Sequence, residues 1–351
     1  MSKLSIIIPT YNERENLGAL LERIFSSLGG LNFEVIVVDD NSPDGTGKLA
    51  DEIASKRRDM KVVHRERKLG LGTAILDGIR VAEGEFIGVM DADMQHPPEL
   101  LKTMLEKAGE GADIVIASRY VEGGKVDGWS FVRRATSKGA LWLSHLLLPR
   151  VRKIKDTLSG YFIFKKSVIE GISLNVKGFK LLIEILARGK YEKVVEVPYT
   201  FRARAAGRSK LSLSEKIDYL KQILRLSDYR ILKFTAVGVS GLAVNDGVLW
   251  LLVSALGAIP FLAGIFSIEA SILSNFALNN FWTFKDRKGG SFLSRMLKYH
   301  GSVALGAVVN YATLVTLTTI GLHLIVANTI GIFLGFISNY LLSETFVWKW
   351  R

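Results

Sequence analysis

Apolar, β-branched runs alternate with amphipathic helical runs over the first third of the chain: Leu4–Pro9, Glu13–Leu28, Phe33–Asp40, Thr46–Ser55, Val62–His64, Thr73–Ala82, Phe86–Asp91, Pro98–Lys107 and Asp113–Ser118. Strand and helix repeated in this way predict an α/β domain, a mostly parallel, doubly wound sheet with helices on both faces. Ligands of such sheets sit beyond the carboxyl ends of the strands. The positions to inspect are therefore Pro9-Thr10-Tyr11-Asn12-Glu13, Asp39-Asp40 and Asp91-Ala92-Asp93.

A second pattern takes over after residue 210. Leu211–Tyr229 places apolar side chains at 213, 217, 220, 224 and 226, a helix with one greasy face that reads either as an interfacial helix or as the last helix of the preceding domain. Four apolar stretches follow, at about 232–256, 260–284, 297–320 and 323–347, each near the roughly 20 residues that cross a bilayer. The loops at 257–260 and 321–323 lack Lys and Arg, whereas Arg230, Lys233, Lys285, Arg287, Lys288, Arg295, Lys298, Lys349 and Arg351 mark the opposite ends. The positive-inside rule then places both termini and the first domain in the cytoplasm. Met1-Ser2-Lys3 runs straight into the first strand with no apolar leader, which carries the same expectation.

The apolar region also repeats. Leu232-Lys233-Phe234, Gly241 and Val244-Asn245 match Leu297-Lys298-Tyr299, Gly306 and Val309-Asn310, and Ser274-Asn275-Phe276 matches Ser338-Asn339-Tyr340. Two duplicated helical hairpins running in the same sense are implied. Asn245, Asp246, Glu269, Asn275, Asn279, Asn280, Asn310 and Asn339 are costly in a bilayer unless they face a partner or a cavity; hydrogen bonding between helices accounts for them more simply than a translocation path.

Charge and composition narrow the chemistry. Residues 231–351 hold eight of the 46 basic and four of the 34 acidic residues, so the first 230 have the charge density of a soluble domain. The net charge of +12 comes without any helix-turn-helix, zinc-finger or RNP-type motif, so nucleic acid is not an expected partner. The chain has no cysteine, and His64, His96, His145, His300 and His323 show no ligand spacing, so a bound metal must take oxygen ligands. Asp91 and Asp93 on extended chain would point to one side, with Gln95 continuing it, a set that suits Mg²⁺ or Mn²⁺. The alternative is an N-terminal helix cap ahead of Pro97-Pro98-Glu99. Gly70-Leu71-Gly72 begins like a dinucleotide fingerprint but follows the third strand and lacks the third small residue, so it reads as a helix-opening turn.

Six motifs in order carry a resemblance to inverting glycosyltransferase family 2, and within it to the dolichol- or polyprenyl-phosphate mannosyltransferases. They are Pro9-Thr-Tyr11-Asn-Glu13, Val38-Asp39-Asp40 with Asp44-Gly-Thr, Asp91-Ala92-Asp93-Met-Gln95-His-Pro-Pro, Ser118-Arg119-Tyr120 with Gly123-Gly124, Trp129 with Arg133-Arg134, and Arg204 with Gly207-Arg-Ser209-Lys210. The membrane half resembles the GtrA-like family. The resemblance implies a Rossmann-like GT-A catalytic domain over residues 1–210, amphipathic interface helices over 211–230 and an all-α, four-helix transmembrane domain over 231–351.

It further implies that Pro9, Tyr11, Glu13, Val38, Asp40, Asp91, Ala92, Asp93 and Gln95 bind the nucleotide, with Asp91, Asp93 and Gln95 on the metal. Arg119, Arg133, Ser137, Arg204 and Lys210 are implied at the lipid-phosphate acceptor, Asp91 and the four cations among them serving catalysis, and Asp156 resembles the sugar-pocket acid. A phosphate acceptor is already an anion and needs no general base; what the site must supply is neutralisation of nucleophile and leaving group. Trp129 is read either as packing or as part of a loop that admits a lipid chain. The expected reaction is transfer of mannose from GDP-mannose to dolichyl or polyprenyl phosphate at the bilayer. UDP-glucose as donor, and a transport role for lipid-linked sugar, stand as alternatives.

Overall fold

The structure is a computed structural model and describes residues 3–175, 180–202, 213–287 and 289–349. The chain divides into two compact units, Met1–Leu226 and Ser227–Arg351.

In the first unit the strands and helices alternate as β1 (Leu4–Thr10), α1 (Arg14–Ser27), β2 (Phe33–Asp39), α2 (Thr46–Ala54), β3 (Met60–His64), α3 (Leu71–Val81), β4 (Phe86–Val89), α4 (Leu100–Gly109) and β5 (Ile114–Ser118). Then come β6 (Lys125–Val126), α5 (Phe131–Leu147), β7 (Phe162–Lys165), α6 (Leu181–Arg188), β8 (Val194–Pro198), β9 (Thr200–Phe201) and α7 (Leu213–Leu226). Seven strands form one sheet in the order β3-β2-β1-β4-β7-β5-β8, while β6 and β9 pair separately. Every pairing in the large sheet is parallel except those of β7 with β4 and β5. The central strands β1, β4 and β5 are buried along their whole length, as strands covered by helices on both faces must be.

The chain leaves β1 for β2 on one side and later enters β4 on the other, so a crevice opens at this reversal of strand order, where doubly wound sheets bind ligands. Pro9 fits β1 because the β4 pairing stops at Ile7 opposite Val89, so its missing N–H faces no ladder partner there.

Helix α7 belongs to the first unit, which therefore runs past residue 210. Its buried side is Tyr219, Gln222 and Ile223. Tyr219 donates to the Ala140 carbonyl at 2.7 Å, and Gln222 and Arg225 donate to the buried Glu184 carboxylate at 3.1 and 2.8 Å. Ile217 and Leu220, on the apolar face seen in the sequence, point outward at 44% and 43% exposure.

The second unit consists of α8 (Arg230–Trp250), α9 (Pro260–Leu278), α10 (Phe292–Thr319) and α11 (Leu324–Leu342). Three of these helices run on into five-residue π-helical turns, giving four segments long and apolar enough to cross a membrane: Arg230–Ala255, Pro260–Thr283, Phe292–Thr319 and Leu324–Val347. Within each hairpin the helices pack through glycine. A Cβ at Gly335 would lie 2.6 Å from the Gly306 carbonyl oxygen, and one at Gly241 would collide with the Asn275 amide. Several membrane asparagines are tied between helices as expected: Asn280 Oδ1 accepts from Arg295 and from the Trp348 indole, and Asn339 Oδ1 accepts from Ser302.

Candidate active site

The ends of β1 and β2 form one wall of the crevice. Their register sets Pro9 opposite Val38 and Thr10 opposite Asp39. Just beyond, Asn12 and Asn41 take left-handed backbone, with φ of 58° and 56°, a conformation asparagine tolerates well. Asp39 is spent on the fold: its carboxylate accepts from Thr10 at 3.0 Å and from the Ser42 hydroxyl at 2.6 Å. Asp40, buried, accepts the Arg65 guanidinium and, at 3.0 Å, the Gly70 N–H. Glu13 donates its N–H to Thr46 and accepts from Asn16, while Lys68 Nζ sits 4.0 Å above the Tyr11 ring. The structure thus brings Pro9, Tyr11, Glu13, Val38 and Asp40 to adjacent strand ends. Gly70 opens α3 with φ of 98°, as a helix-opening turn should.

Across the reversal point, β4 stops at Val89 and Asp91-Ala92-Asp93 lies in a bend, with Met94 at φ 62°. This corrects the extended-chain geometry expected of the motif. Asp93 is 5% exposed and accepts from the Gln95 N–H at 3.2 Å, whereas the Asp91 side chain is 37% exposed. Gln95 is fixed by a 2.8 Å bond from its Nε2 to the Arg202 carbonyl. Gly160 closes over Asp91, where a Cβ would approach Oδ2 to 3.1 Å.

The bend is held from below by His96. Its Nδ1 accepts the Asp91 N–H at 3.1 Å, and its ring stacks on Tyr161 at 5.0 Å with Tyr199 and Phe201 edge-on. Burial pushes His96 down to about 4, with Asp93 pulling the other way and Arg119 and Lys180 adding to the fall, so the imidazole is neutral at neutral pH. The donor set suits a hard cation: two carboxylates and a side-chain amide, all oxygen donors at one strand end, the partial shell that Mg²⁺ completes with substrate phosphates.

The third wall carries the cations. Arg119 is buried and forked onto Asp156: Nε and Nη2 each donate at 2.7 Å to a carboxylate with no exposed surface. Burial works against that guanidinium's charge, and the Asp156 carboxylate more than restores it. Asp156, matched in sequence to a sugar-pocket acid, is thus Arg119's counter-ion. Arg133 lies 4.3 Å over the Trp129 ring, which itself packs edge-on against Phe201. Trp129 is therefore part of the packed wall, and the outward apolar residues of that segment are Phe131 and Val132 at 84% and 71% exposure. Ser137 hydrogen-bonds the Tyr120 hydroxyl at 3.0 Å. Arg204 and Lys210 lie outside the described residues.

Sequence reasoning missed Arg65, Lys68, His96 as a support, and Lys180. Arg65 and Lys68 sit in a charge run just after β3, and their strand-end position was the available signal. Lys180 donates to the Leu158 carbonyl at 3.0 Å; burial and then Arg119 push it down to about 8, with Asp91 and Asp156 opposing.

The family model for glycosyl transferase family 2 matches residues 5–172, and that for the GtrA/DPMS transmembrane domain matches residues 233–349. The chain is 48% identical over 351 residues to the dolichol-phosphate mannosyltransferase of Pyrococcus furiosus, covering 99% of both chains. The chain belongs to glycosyl transferase family 2. It is also 43% identical over 216 residues to the polyprenol monophosphomannose synthase of Mycolicibacterium smegmatis, covering 59% of this chain and 80% of that one. Among solved structures, the glucosyl-3-phosphoglycerate synthase of Mycobacterium tuberculosis in complex with Mn²⁺ and UDP-glucose aligns with a TM-score of 0.51 at 22% identity. It covers 65% of this chain and 80% of that one, and shares the fold. This family 2 chain thus joins a GT-A catalytic unit to a GtrA/DPMS membrane unit.

Proposed function

We propose that this family 2 enzyme transfers mannose, with inversion, from GDP-mannose to the phosphate of a dolichyl or polyprenyl lipid at the cytoplasmic face of the membrane. One observation carries the reading: the deeply buried acids of the crevice are committed to partners. Asp39 is held by Thr10 and Ser42, Asp40 by Arg65 and Asp156 by Arg119; His96 is neutral and supports a backbone N–H. Asp91, at 37% side-chain exposure, is the most open of these acids and lies beside Asp93 and Gln95, an arrangement of oxygen donors suited to cation binding more than to proton abstraction. The nucleophile must then bring its own charge, as a phosphate does.

The acceptor oxygen attacks the anomeric carbon, the bond from that carbon to the nucleoside diphosphate breaks, and no proton has to leave the nucleophile. Asp91, Asp93 and Gln95 would hold Mg²⁺ or Mn²⁺, which supplies charge neutralisation to the diphosphate leaving group. Pro9, Tyr11, Glu13, Val38 and Asp40 receive the nucleoside. Arg119, Arg133 and Ser137, with Arg204 and Lys210, meet the acceptor phosphate, and Phe131 and Val132 give the prenyl chain an apolar approach. The identity shared along the whole chain with a dolichol-phosphate mannosyltransferase supports the donor and the acceptor, and the clustering of basic residues at one end of the spans supports the cytoplasmic placement.

The test is donor competition. Purified full-length protein with polyprenyl phosphate and Mn²⁺ should transfer mannose from GDP-mannose in excess of glucose from UDP-glucose. Chelation should abolish transfer, either metal should restore it, and Asp91→Asn should lower kcat by about a hundredfold or more. Preferred use of UDP-glucose, or transfer that survives chelation, overturns the reading.

A further inference from the structure

Lys180 stands at the head of α6, part-buried, with its backbone held from two sides. Residues 181–186 are all buried, which fixes the helix in the core, and the Lys180 carbonyl accepts from Gln222 Nε2 of α7 at 3.1 Å. The ammonium is held as well, by a 3.0 Å bond to the Leu158 carbonyl. Leu158 is the midpoint of the strap Asp156–Gly160. Asp156, at one end, is Arg119's counter-ion, and at the other end a Cβ on Gly160 would come to 3.1 Å from Asp91 Oδ2. Two residues of chain reach at most about 7 Å, so the ammonium is kept between the Arg119–Asp156 pair and the open acid Asp91.

The electrostatics agree with that placement. Burial lowers Lys180 to about 8 and Arg119 adds to the fall, while Asp91, Asp156 and Glu215 oppose it. A cation is thus kept beside another cation against the cost of desolvation, which a bond to one neutral carbonyl does not require. The charges around it are already balanced. Arg119 and Asp156 cancel each other, and a divalent ion would cancel Asp91 and Asp93. Transfer adds negative charge to this space, because the electron pair of the broken bond stays on the departing diphosphate oxygen. Lys180 stands where that charge develops.

We propose that Lys180 is a further catalytic residue, whose ammonium donates a hydrogen bond to the diphosphate oxygen that leaves the anomeric carbon. It rests on the mannosyl-transfer reading and adds a residue to the same site. The acceptor oxygen forms its bond to the anomeric carbon as the bond to the diphosphate oxygen breaks; the pair goes to that oxygen, and Lys180 keeps its three protons throughout. An ammonium carries three donors, so a bond to Leu158 and one to substrate are compatible. A donor aimed at charge that appears only in the transition state acts on kcat and little on donor affinity.

The assay is mannosyl transfer by the full-length protein in detergent, with GDP-mannose, polyprenyl phosphate and Mn²⁺. Lys180→Met should lower kcat about a hundredfold or more and leave donor KM within about twofold. It should melt within about 4 °C of the parent, as loss of one hydrogen bond to a carbonyl allows. Lys180→Arg, which keeps the charge, should turn over at least about tenfold faster than Lys180→Met, and ethylammonium should restore turnover to Lys180→Ala saturably while leaving the parent unchanged. A Lys180→Met protein with the parent's kcat overturns the proposal, and a rise in donor KM at unchanged kcat does so too. Lost turnover in folded protein that neither arginine nor ethylammonium restores also overturns it, and would leave the lysine as a holder of the strap. A parent that transfers no sugar would sink the transfer reading and this inference with it, whereas the other failures fall on Lys180 alone.

Discussion

Asp156→Asn should be among the most damaging single-atom changes in the catalytic unit. The wild-type carboxylate is wholly buried, receives two bonds of 2.7 Å from the Arg119 guanidinium and a third, of 3.0 Å, from the Arg119 N–H, and Arg119 itself is 7% exposed. Removing one charge strands the other, which costs about 3–5 kcal/mol in buried pairs. For a unit of this size each kcal/mol moves the melting temperature by about 2–4 °C, so the variant should melt roughly 6 to 20 °C lower. The Arg119→Met/Asp156→Leu double variant removes both charges and should recover a large part of that loss. Differential scanning of the full chain in detergent, following the transition of the catalytic unit, reads both numbers. A single variant that melts with the parent, or a double variant that falls as far as the single one, refutes the assignment of Asp156 as Arg119's counter-ion. If Arg119 also meets acceptor phosphate, the double variant will be folded and inactive, so the two roles separate.

Arg65→Met removes the cation that holds Asp40, Asp77 and Thr73 together; it strands the buried Asp40 carboxylate, so the catalytic unit should melt lower as in the Asp156 variant. In the folded fraction donor KM should rise about tenfold, and an unchanged KM in steady-state kinetics would contradict the nucleoside-wall assignment. Glu34 is held below its ordinary 4.5: burial opposes the charge, but bonds from Lys61, Ser5 and the Glu83 N–H outweigh it. Its proton then binds more readily in the unfolded chain, so the stability it supplies is complete above about pH 4.5 and drains as pH falls through the depressed value. Glu34→Gln should flatten that acid limb in melts taken from pH 6 to 3, and an unaltered limb would show that other carboxylates carry it. In the membrane unit, Gly335→Ala should cost about 1–3 kcal/mol by forcing α10 and α11 apart, while Gly264→Ala, whose Cβ meets nothing within 4 Å, should be neutral in the same detergent unfolding series.

The strands of the first unit were plain in the sequence because both their faces are buried, which leaves continuous apolar runs with sharp polar ends. Strand β7 was not: Phe162–Lys165 is four residues long and enters antiparallel between β4 and β5, a placement decided by long-range pairing. The Asp91-Ala92-Asp93 motif was legible as residue types but not as geometry, since the bend at Asp91–Met94 depends on His96, and His96 depends on rings from Tyr161, Tyr199 and Phe201 far along the chain. Arg65 and Lys68 were hidden in a run of charges that a single sequence cannot distinguish from a solvated surface. The four spans were legible from hydropathy alone. Which membrane asparagines are satisfied was not, because Ser302 and Val237 occupy equivalent positions and only packing shows what the exchange leaves unpaired.

The crevice holds buried acids bound to named donors and one acid, Asp91, that stays open, and substitutions should divide along the same line. Asp39, Asp40 and Asp156 are buried acids, each with a named donor, so their loss perturbs the fold first and turnover through it. Asp91 keeps more than a third of its side chain open, and its own N–H is held by His96. Its replacement should therefore leave the melting temperature near the parent's while turnover collapses. A stability loss at Asp91 comparable to that at Asp156 would mean that the two carboxylates do the same job, and the assignment of the cation to the Asp91 bend would fall with that result.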